Sequence, residues 1–325
     1  MEINKLINLE LTQSSGQTSQ SPWKCVDNSY ENVILVDNIP ILLKTSQNNI
    51  NSFNLNWELA TAIDKSVVNI SKIEKGILKE IYNIYDLNFD LEKFYDYLME
   101  DNLLVGAVDF CRGLRLFLAR DPFECLVSSI CSANNSIVRW TKSIDKIKLI
   151  WGDEFKFPSG TFYKFPIPEI LMDAYNDNME EYESEGRQLN PECYKNNLKS
   201  CGVGYRGNYI KAASEIFALE KNLNDIQNMT YEEAFNNIIK VSGVGPKVAD
   251  CILLYGFGFK EAFPTDVWIK RIVSHLYFDG KDISADKIRQ FGMEKFGDYA
   301  GYVQLYLFHY ARKSGLMKKL SPKNK

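Results

Sequence analysis

The chain has 325 residues, of which 45% are hydrophobic, 13% aromatic and 25% charged, and its formal net charge is -4 at pH 7. This length allows two domains with substantial cores, and no apolar run is long enough to cross a membrane. The opening segment MEINKLINLELTQ has no signal-peptide pattern, so we expect a protein that is neither secreted nor membrane-bound. The slightly negative charge argues against a broad electrostatic grip on nucleic acid but allows local phosphate contacts.

Residues 1–90 contain short alternating or β-branched runs that are typical of strands. The run from Val33 to Leu43 predicts a hairpin with Asp37 and Asn38 at its turn. Residues 13–21 are rich in Ser and Gln and form the only low-complexity stretch of the sequence. We predict a small N-terminal antiparallel β domain over residues 1–90.

Helical signals dominate from about Phe89 onward. Residues 121–133 predict a helix with an apolar face, and residues 299–314 predict a long final helix. Thr230 and Glu233 form a capping box before another helix. We therefore predict an α+β fold in which the small β domain packs on an all-helical domain of residues 91–325.

The segment VSGVGPKVADCILLYGFGFKEAFPTDV, residues 241–267, combines a glycine turn with the start of a helix. Gly243 and Gly245 allow tight backbone geometry, and Pro246 suits the first position of a helix. Glycines at residues 256 and 258 then end the apolar helical run. Backbone N–H groups at such a helix start bind phosphate. We expect a DNA phosphate to be held by Gly243, Val244, Gly245 and Lys240.

Lys247 and Asp266 are the candidate catalytic residues of this segment. Lys247 lies in the first turn of the helix, where the dipole and partial burial favour a neutral, nucleophilic amine. Asp266 precedes a second amphipathic helix, residues 267–278, at its N-cap position. A carboxylate near an amine nucleophile fits chemistry at a sugar carbon, where positive charge develops. The alternative is a passive DNA clamp in which Lys247 binds phosphate and Asp266 only caps its helix.

This segment resembles the helix-hairpin-helix and Gly/Pro-Asp element of base-excision DNA glycosylases, and Lys247 points to the bifunctional branch. Further segments resemble 8-oxoguanine DNA glycosylase and follow the order of that family over nearly the whole chain. The first segment comprises residues 9–12 and 15–17, and the second comprises residues 121–126. Residues 130–135 and 139, residues 202–206, and residues 300–304 and 308 form the other three. The resemblance implies a twisted N-terminal sheet followed by a helix-hairpin-helix DNA glycosylase core, with the hairpin at about residues 230–260.

The resemblance also implies roles around the estranged cytosine that faces the lesion. The enzyme must flip the damaged base out of the duplex and fill the gap that remains. Asn134, Tyr205 and Arg206 correspond to the residues that do this, and Arg139 is a further cytosine contact. Arginine offers paired donors to cytosine acceptors, and tyrosine can wedge into a base stack. The alternatives are a core aromatic at Tyr205 and a surface charge at Arg139.

For the flipped base, the resemblance implies a pocket of Gly16, Cys251, Gln304 and Phe308. The Gly16 carbonyl would accept the N7 hydrogen that 8-oxoguanine has and guanine lacks, which is a strong basis for discrimination. Gln304 would read the Watson–Crick edge, while Phe308 and Cys251 sandwich the ring. Ordinary core packing is the alternative for Phe308 and Cys251.

Two departures from the common family pattern stand out. Thr18, Ser19 and Gln20 follow the Ser-Gly-Gln motif where the family often has an aromatic and a basic residue, which leaves the local packing open. Trp268 stands where eukaryotic relatives have a phosphate-binding histidine. Its indole N–H could replace that contact.

No cofactor is expected. The seven cysteines contain no Cys-x-x-Cys pair, and we expect reduced thiols at Cys25, Cys111, Cys125, Cys131, Cys193, Cys201 and Cys251. No cysteine follows Cys251, which removes the iron–sulfur loop of the endonuclease III and adenine glycosylase branches. The two histidines, His275 and His309, belong to no metal-ligand cluster. By resemblance, the carbonyls of Ile239, Val241 and Val244 could hold a monovalent cation.

Three functions remain open from the sequence. The first is a bifunctional 8-oxoguanine DNA glycosylase and abasic-site lyase that binds double-stranded DNA as a monomer, in the cytoplasm at the nucleoid or in a nucleus. The second is a glycosylase of the same fold for an alkylated base, a branch that generally lacks the hairpin lysine. The third is a non-catalytic DNA-binding protein, against which Lys247 with Asp266 argues.

Overall fold

The computed structural model describes residues 1–177, 196–220 and 222–316 of the chain. Most of the acidic stretch that begins at Asp177 lies outside the described residues. So do Cys193 and the basic residues of the C-terminal end beyond residue 316. Among the helices of the described ranges, none is long and apolar enough to span a membrane.

The N-terminal part is a five-stranded antiparallel sheet with the spatial order β1-β5-β4-β3-β2. Its strands are β1 Glu2–Ile3, β2 Lys24–Val26, β3 Ser29–Val36, β4 Ile39–Asn49 and β5 Ser52–Leu59. The predicted hairpin is confirmed: Val36 pairs with Ile39 across the turn. Asp37 and Asn38 both have left-handed backbone angles, with φ of 49° and 62°. That conformation suits a two-residue hairpin turn because its twist matches the twist of the strands.

One face of the sheet is covered by helix α2, Ile70–Ile84, which the sequence analysis did not predict. Ile73, Ile77, Ile81 and Ile84 recur at helical spacing, are buried, and pack in one core with the strands. The short helix α1, Leu9–Ser14, precedes β2 and is capped by the Asn8 side chain. The N-terminal domain therefore contains helices as well as the sheet. Its boundary near residue 90 stays a prediction.

Helices dominate the rest of the described chain and enclose a second, larger core. They are α3 Leu91–Met99, α4 Val105–Phe110, α5 Pro122–Ser132, α6 Ile137–Trp151, α7 Pro168–Met172, α8 Arg206–Glu215, α9 Tyr231–Ile238, α10 Pro246–Phe257, α11 Val267–Tyr277, α12 Ala285–Phe296 and α13 Ala300–Lys313. Short 3₁₀ turns lie at Lys65–Val67, Leu198–Cys201, Leu223–Asn228 and Gly297–Tyr299, and a π turn lies at Ile216–Glu220.

The predicted helices α5 and α13 are confirmed to within a residue or two. The capping box is also confirmed, because the Thr230 and Glu233 side chains each accept from the backbone N–H of the other residue. One feature was not predicted: a two-stranded hairpin of β6 Glu154–Phe157 and β7 Gly160–Tyr163 interrupts the helical part.

The Ser/Gln-rich segment lies at the junction of the two domains, where residues 17–21 are all buried. Gln17 accepts from the Phe117 N–H at 2.8 Å and donates to the Arg115 carbonyl at 2.9 Å. Thr18 and Ser129 share a hydrogen bond between hydroxyls at 2.8 Å. Side chains thus replace strand pairing here, and they hold the backbone just after Gly16 in place.

Candidate active site

Helices α9 and α10 form the helix-hairpin-helix, and Lys247 is the second residue of α10. Gly245 is the N-cap and Pro246 occupies the first turn, as the sequence predicts. Gly243 has φ of +83°, and a Cβ at this position would clash with the Tyr209 ring. Gly258 ends α10 in the left-handed conformation, whereas Gly256 lies inside the helix. The Lys247 side chain is half-buried at the start of the helix.

Cys251 lies one helical turn after Lys247, so both side chains point to the same face of α10. The thiol is buried, and this burial raises the pKa of Cys251. The nearby Lys247 amine, which is within hydrogen-bonding reach of the thiol, opposes that rise. The nucleophile candidate and one wall of the predicted base pocket are therefore neighbours.

Asp266 is the N-cap of α11, and its Oδ1 accepts from the N–H groups of Trp268 and Ile269, both at 2.9 Å. Among the described residues, none donates a hydrogen bond to its Oδ2. The Asp266 charge contributes, after burial, to the raised pKa of both Cys251 and Tyr255. The catalytic roles of Lys247 and Asp266 stay predictions.

Two further predicted base-pocket residues, Gln304 and Phe308, lie on helix α13. Gln304 is buried on α13; its Nε2 donates to the Pro264 carbonyl at 2.9 Å, and its Oε1 accepts from the Tyr255 hydroxyl at 3.5 Å. Phe308 lies one turn further along α13 and is half-buried. Gln304 therefore touches the loop that leads to Asp266, while Phe308 shares its helix face.

Gly16 has φ of +86°, and a Cβ there would clash with Cδ1 of Ile137 at the start of α6. Only glycine fits this backbone without strain or collision. The Ser15 carbonyl accepts from Nη1 of Arg312 at 3.4 Å, and the same guanidinium lies 4.9 Å from the centre of the Phe308 ring. Arg312 therefore joins the Gly16 segment to Phe308 across a chain separation of 297 positions.

Asn134 and Tyr205 are exposed on the surface beside this pocket. Asn134 has a left-handed backbone, with φ of 49°, in the turn between α5 and α6. Tyr205 is 56% exposed, so the alternative that it is a core aromatic is wrong. Arg139, in the first turn of α6, is exposed as well. These three side chains are available to a bound duplex.

Arg206 differs from them because it is buried. Its Nε donates to the Ala133 carbonyl at 2.9 Å, Nη2 donates to the carbonyls of Ala133 and Asn134, and Nη1 donates to Val203. Its guanidinium also lies 4.5 Å from the Tyr205 ring centre. Arg206 thus braces the turn that carries Asn134, and its contact with cytosine stays a prediction.

At the hairpin, Lys240 and Gly245 are exposed and the Val244 side chain is buried. The Val241 carbonyl accepts the Val244 N–H at 3.0 Å, which leaves that oxygen a second lone pair. Both the monovalent-cation site at the carbonyls of Ile239, Val241 and Val244 and the phosphate contacts stay predictions.

Two residues at the site were missed by the sequence reasoning. Tyr255 is buried between Cys251 and Gln304, and Arg312 lies at the outer edge of the pocket. The spacing of Gln304, Phe308 and Arg312, four residues apart each time, could have indicated that Arg312 shares the pocket face. For Tyr255 the helical spacing within the apolar run of α10 indicates only a core position.

A small sheet, a helical core and a hairpin with a lysine beside an aspartate-capped helix define this chain as a helix-hairpin-helix DNA glycosylase. Residues 1–126 match the family model described as 8-oxoguanine DNA glycosylase, N-terminal domain. Residues 127–297 match the model described as HhH-GPD superfamily base excision DNA repair protein. The chain therefore belongs to the HhH-GPD superfamily of base-excision DNA repair proteins, in its 8-oxoguanine DNA glycosylase branch.

Individual relatives agree with this assignment. The chain is 42% identical over 313 residues to a probable N-glycosylase/DNA lyase of Methanothermobacter thermautotrophicus, which covers 96% of both chains. It is 29% identical over 231 residues to the N-glycosylase/DNA lyase of Saccharomyces cerevisiae, covering 61% of this chain and 56% of the yeast protein. The protein is an N-glycosylase and DNA lyase.

A solved structure of Clostridium acetobutylicum 8-oxoguanine glycosylase/lyase, in complex with double-stranded DNA containing cytosine opposite 8-oxoguanine, is also similar. Its TM-score is 0.74 at 28% identity, with 96% of this chain and 93% of that chain covered. The structure of MBOgg1 in complex with a low affinity DNA ligand has a TM-score of 0.75 at 29% identity, with 96% and 94% covered. A 3-methyladenine DNA-glycosylase from Archaeoglobus fulgidus, at 22% identity and a TM-score of 0.73, shares the fold.

Proposed function

We propose that this protein flips 8-oxoguanine out of duplex DNA, excises it preferentially opposite cytosine, and then cleaves the abasic strand. The observation that carries the proposal is the packing of the loop before Asp266 against the helix that begins with Lys247, because Gln304 forms hydrogen bonds with both Tyr255 and the Pro264 carbonyl. A nucleophile, a carboxylate and the base-pocket residues thus converge, although they come from three separate helices and a loop.

In the first chemical step the Lys247 amine attacks C1′ of the flipped nucleotide. The new N–C1′ bond forms as the bond from C1′ to N9 of the base breaks, and the bonding electrons leave with the base, which takes up a proton. The sugar carries positive charge in the transition state, and the free Oδ2 of Asp266 stabilises that charge. The Oδ1 atom meanwhile keeps the carboxylate in place by capping α11.

In the second step the nitrogen of the amine–sugar adduct loses a proton, the C1′–O4′ bond breaks as the C1′=N bond forms, and O4′ takes up a proton, which leaves an open-chain Schiff base. Removal of a proton from C2′ then expels the 3′ phosphate, so the strand is cut by β-elimination. These steps need an amine, a proton acceptor and a proton donor, and none of them calls on a metal or an organic cofactor. The working location is wherever the DNA is: the nucleoid of a prokaryote or a nucleus.

Borohydride trapping on duplexes that carry 8-oxoguanine tests the proposal, because reduction of a Schiff base leaves a stable covalent complex. Wild type should trap, whereas Lys247→Gln should bind the damaged duplex but neither excise nor crosslink. Lys240→Gln is the matched control, since it removes a second lysine of the same hairpin and should still trap at saturating protein. A normal yield of trapped complex with Lys247→Gln would overturn the assignment.

An alkylated-base glycosylase remains the second candidate because the Archaeoglobus fulgidus relative shares the fold. That likeness concerns the fold alone. Lys247 argues against the alkylated-base function, because that branch generally lacks the hairpin lysine. Excision assays on matched duplexes with 8-oxoguanine or 3-methyladenine separate the two functions. A non-catalytic DNA-binding protein would release neither base.

A further inference from the structure

Arg312 continues the pocket face of α13. Gln304, Phe308 and Arg312 follow each other at intervals of four residues, so their side chains point to the same side of the helix. Each interval advances about 6 Å along the axis at 1.5 Å per residue. The three side chains therefore form a row in which Gln304 is innermost and Arg312 lies nearest the C-terminal end.

The contacts of Arg312 place its guanidinium beside Gly16. Nη1 donates to the Ser15 carbonyl at 3.4 Å, and a Cβ built on Gly16 would lie 3.4 Å from the same nitrogen. The guanidinium also lies 4.9 Å from the centre of the Phe308 ring. Two of the predicted base-pocket residues, from opposite ends of the chain, thus have Arg312 as a common neighbour.

Most N–H donors of the Arg312 guanidinium form no hydrogen bond with the described residues. Arginine carries five N–H groups, and one hydrogen bond of Arg312 is found among the described residues. None of the described carboxylates forms an ion pair with it within 4.0 Å, although Asp266 acts on it electrostatically. Burial lowers the pKa of Arg312, which reflects the cost of placing this charge in a half-buried position. Such a charge is well suited to a polar acceptor that enters with a ligand.

We propose that Arg312 donates a hydrogen bond to the C8 oxygen of the flipped 8-oxoguanine, and so helps to select the damaged base. The proposal rests on the proposed function. If Gln304 reads the Watson–Crick edge and Phe308 lies on the ring, the five-membered end of the purine points along the row toward Arg312. The Gly16 carbonyl accepts the N7 hydrogen, and the oxygen is attached to C8, the ring carbon bonded to that nitrogen.

This hydrogen bond would add to the discrimination by Gly16. Guanine carries a hydrogen at C8, so it offers Arg312 no acceptor and leaves a half-buried charged donor facing a C–H group. A missing partner for a charged donor disfavours the wrong ligand more strongly than the loss of a neutral contact. The N7 hydrogen and the O8 atom, both on groups bonded at C8, would then be read by a backbone acceptor and a side-chain donor.

Affinity measurements in the Lys247→Gln background test the proposal, because that variant should bind damaged DNA without cutting it. Three duplexes differ only at one position: 8-oxoguanine, guanine or a tetrahydrofuran abasic analogue. Arg312→Met should lower the preference for 8-oxoguanine over guanine by on the order of tenfold, the scale of one hydrogen bond to a charged group. Its affinity for the abasic duplex should not change. Arg312→Lys should restore part of the preference, and the exposed neighbour Lys313→Met should leave it intact.

The outcomes separate the possibilities. A parent Lys247→Gln protein that does not prefer 8-oxoguanine over guanine defeats the proposed function itself. A parent that prefers 8-oxoguanine, with the same preference in Arg312→Met, defeats only the role of Arg312. An equal loss on all three duplexes, with a weaker salt dependence, would identify Arg312 as a phosphate contact and overturn the proposal. An equal loss together with a lower melting temperature would show a packing role and overturn it as well.

Discussion

Arg289 of α12 donates two hydrogen bonds to Asp250 of α10: Nε to Oδ2 at 2.6 Å and Nη2 to Oδ1 at 3.0 Å. Asp250 is fully buried, and the Tyr231 hydroxyl of α9 also donates to it. The network joins both helices of the hairpin to α12. Because Asp250 lies three residues after Lys247, the network anchors the part of α10 that carries Lys247.

Removing one partner of this network should destabilise the protein strongly. Either Asp250→Asn or Arg289→Met should lower the free energy of unfolding by about 3–5 kcal/mol, because a buried charge or polar group is left without its partner. Denaturant unfolding measures the change. The double variant should lose less than the sum of the two single losses. Additive losses would show that the two side chains do not act as a pair.

Asp266→Asn should separate catalysis from capping. Asparagine still accepts from the N–H groups of Trp268 and Ile269, so the melting temperature should change little. Excision of 8-oxoguanine should fall by about 10²-fold or more, the scale of losing one electrostatic group.

The matched control for this prediction is Asp90→Asn. Asp90 caps α3 in the same way, accepting from the N–H groups of Glu92 and Lys93 at 3.1 Å each. This change should leave excision intact. If Asp266→Asn lowered activity only in step with melting temperature, capping alone would explain Asp266.

Phe308→Ala should impair base recognition more than strand cleavage. Base–aromatic stacking is worth about 1–3 kcal/mol, so excision of 8-oxoguanine should fall roughly tenfold or more. Lyase action on a pre-formed abasic site should fall less, because no base occupies the pocket. Single-turnover rates on the two substrates measure the difference. Equal losses would instead point to general DNA binding or folding.

The opposite base should matter to the rate of excision. If both Arg139 and Arg206 engage cytosine, 8-oxoguanine opposite cytosine should be excised about tenfold or more faster than opposite adenine. Arg139→Ala should reduce that preference without changing the melting temperature, because the side chain is exposed. Rates on duplexes that differ only in the opposite base provide the measurement.

Arg206→Ala should behave differently from Arg139→Ala. It would leave the carbonyls of Ala133 and Asn134, which lie in a half-buried contact, without their guanidinium donor, so stability should fall by about 1–3 kcal/mol. Its effect on opposite-base preference should therefore be accompanied by a lower melting temperature. Unchanged preference in both variants would show that neither arginine reads the base.

His309 should make stability depend on pH. It is 5% exposed, and burial, followed by the charges of Arg312 and Lys313, lowers the pKa of His309 to about 4. The unfolded chain, with a histidine pKa near 6.5, binds the proton more readily. Stability should therefore be lost as pH falls from about 6.5 toward 4, by about 3 kcal/mol at most.

Unfolding free energies of wild type and His309→Leu, measured across this pH range, isolate the contribution of His309. The difference between the two proteins should change steadily from pH 6.5 to 4, since the variant lacks the titrating group. A difference that is constant with pH would contradict the assignment.

Local features of the sequence were enough to predict the hairpin turn at Asp37 and Asn38, the capping box at Thr230, and the start of α10 at Pro246. Each depends on residues within a few positions of one another, so the chemistry of turns and caps specifies it directly. The same holds for Lys247 and Asp266, whose places at the starts of two helices could be predicted from glycine, proline and aspartate positions.

Other features depended on the tertiary structure. The isoleucines of α2 recur at helical spacing, yet that spacing did not reveal which face of the sheet they would cover. The Ser/Gln segment became an interior element only because the backbone of residues 115–118 supplies its hydrogen-bond partners. Burial of so many polar side chains is stable only when distant partners satisfy them, and sequence spacing does not show those partners.

At the site, Arg206 and Arg312 also show the difference between what the sequence predicts and what the tertiary structure determines. The family resemblance implies that Arg206 contacts the opposite base, but the turn at Ala133 and Asn134 accepts hydrogen bonds from its guanidinium. Arg312 gains its place from Ser15, which lies at the other end of the chain. The charge and donors of an arginine are known from its sequence letter, whereas the acceptors within its reach are determined by how distant segments pack.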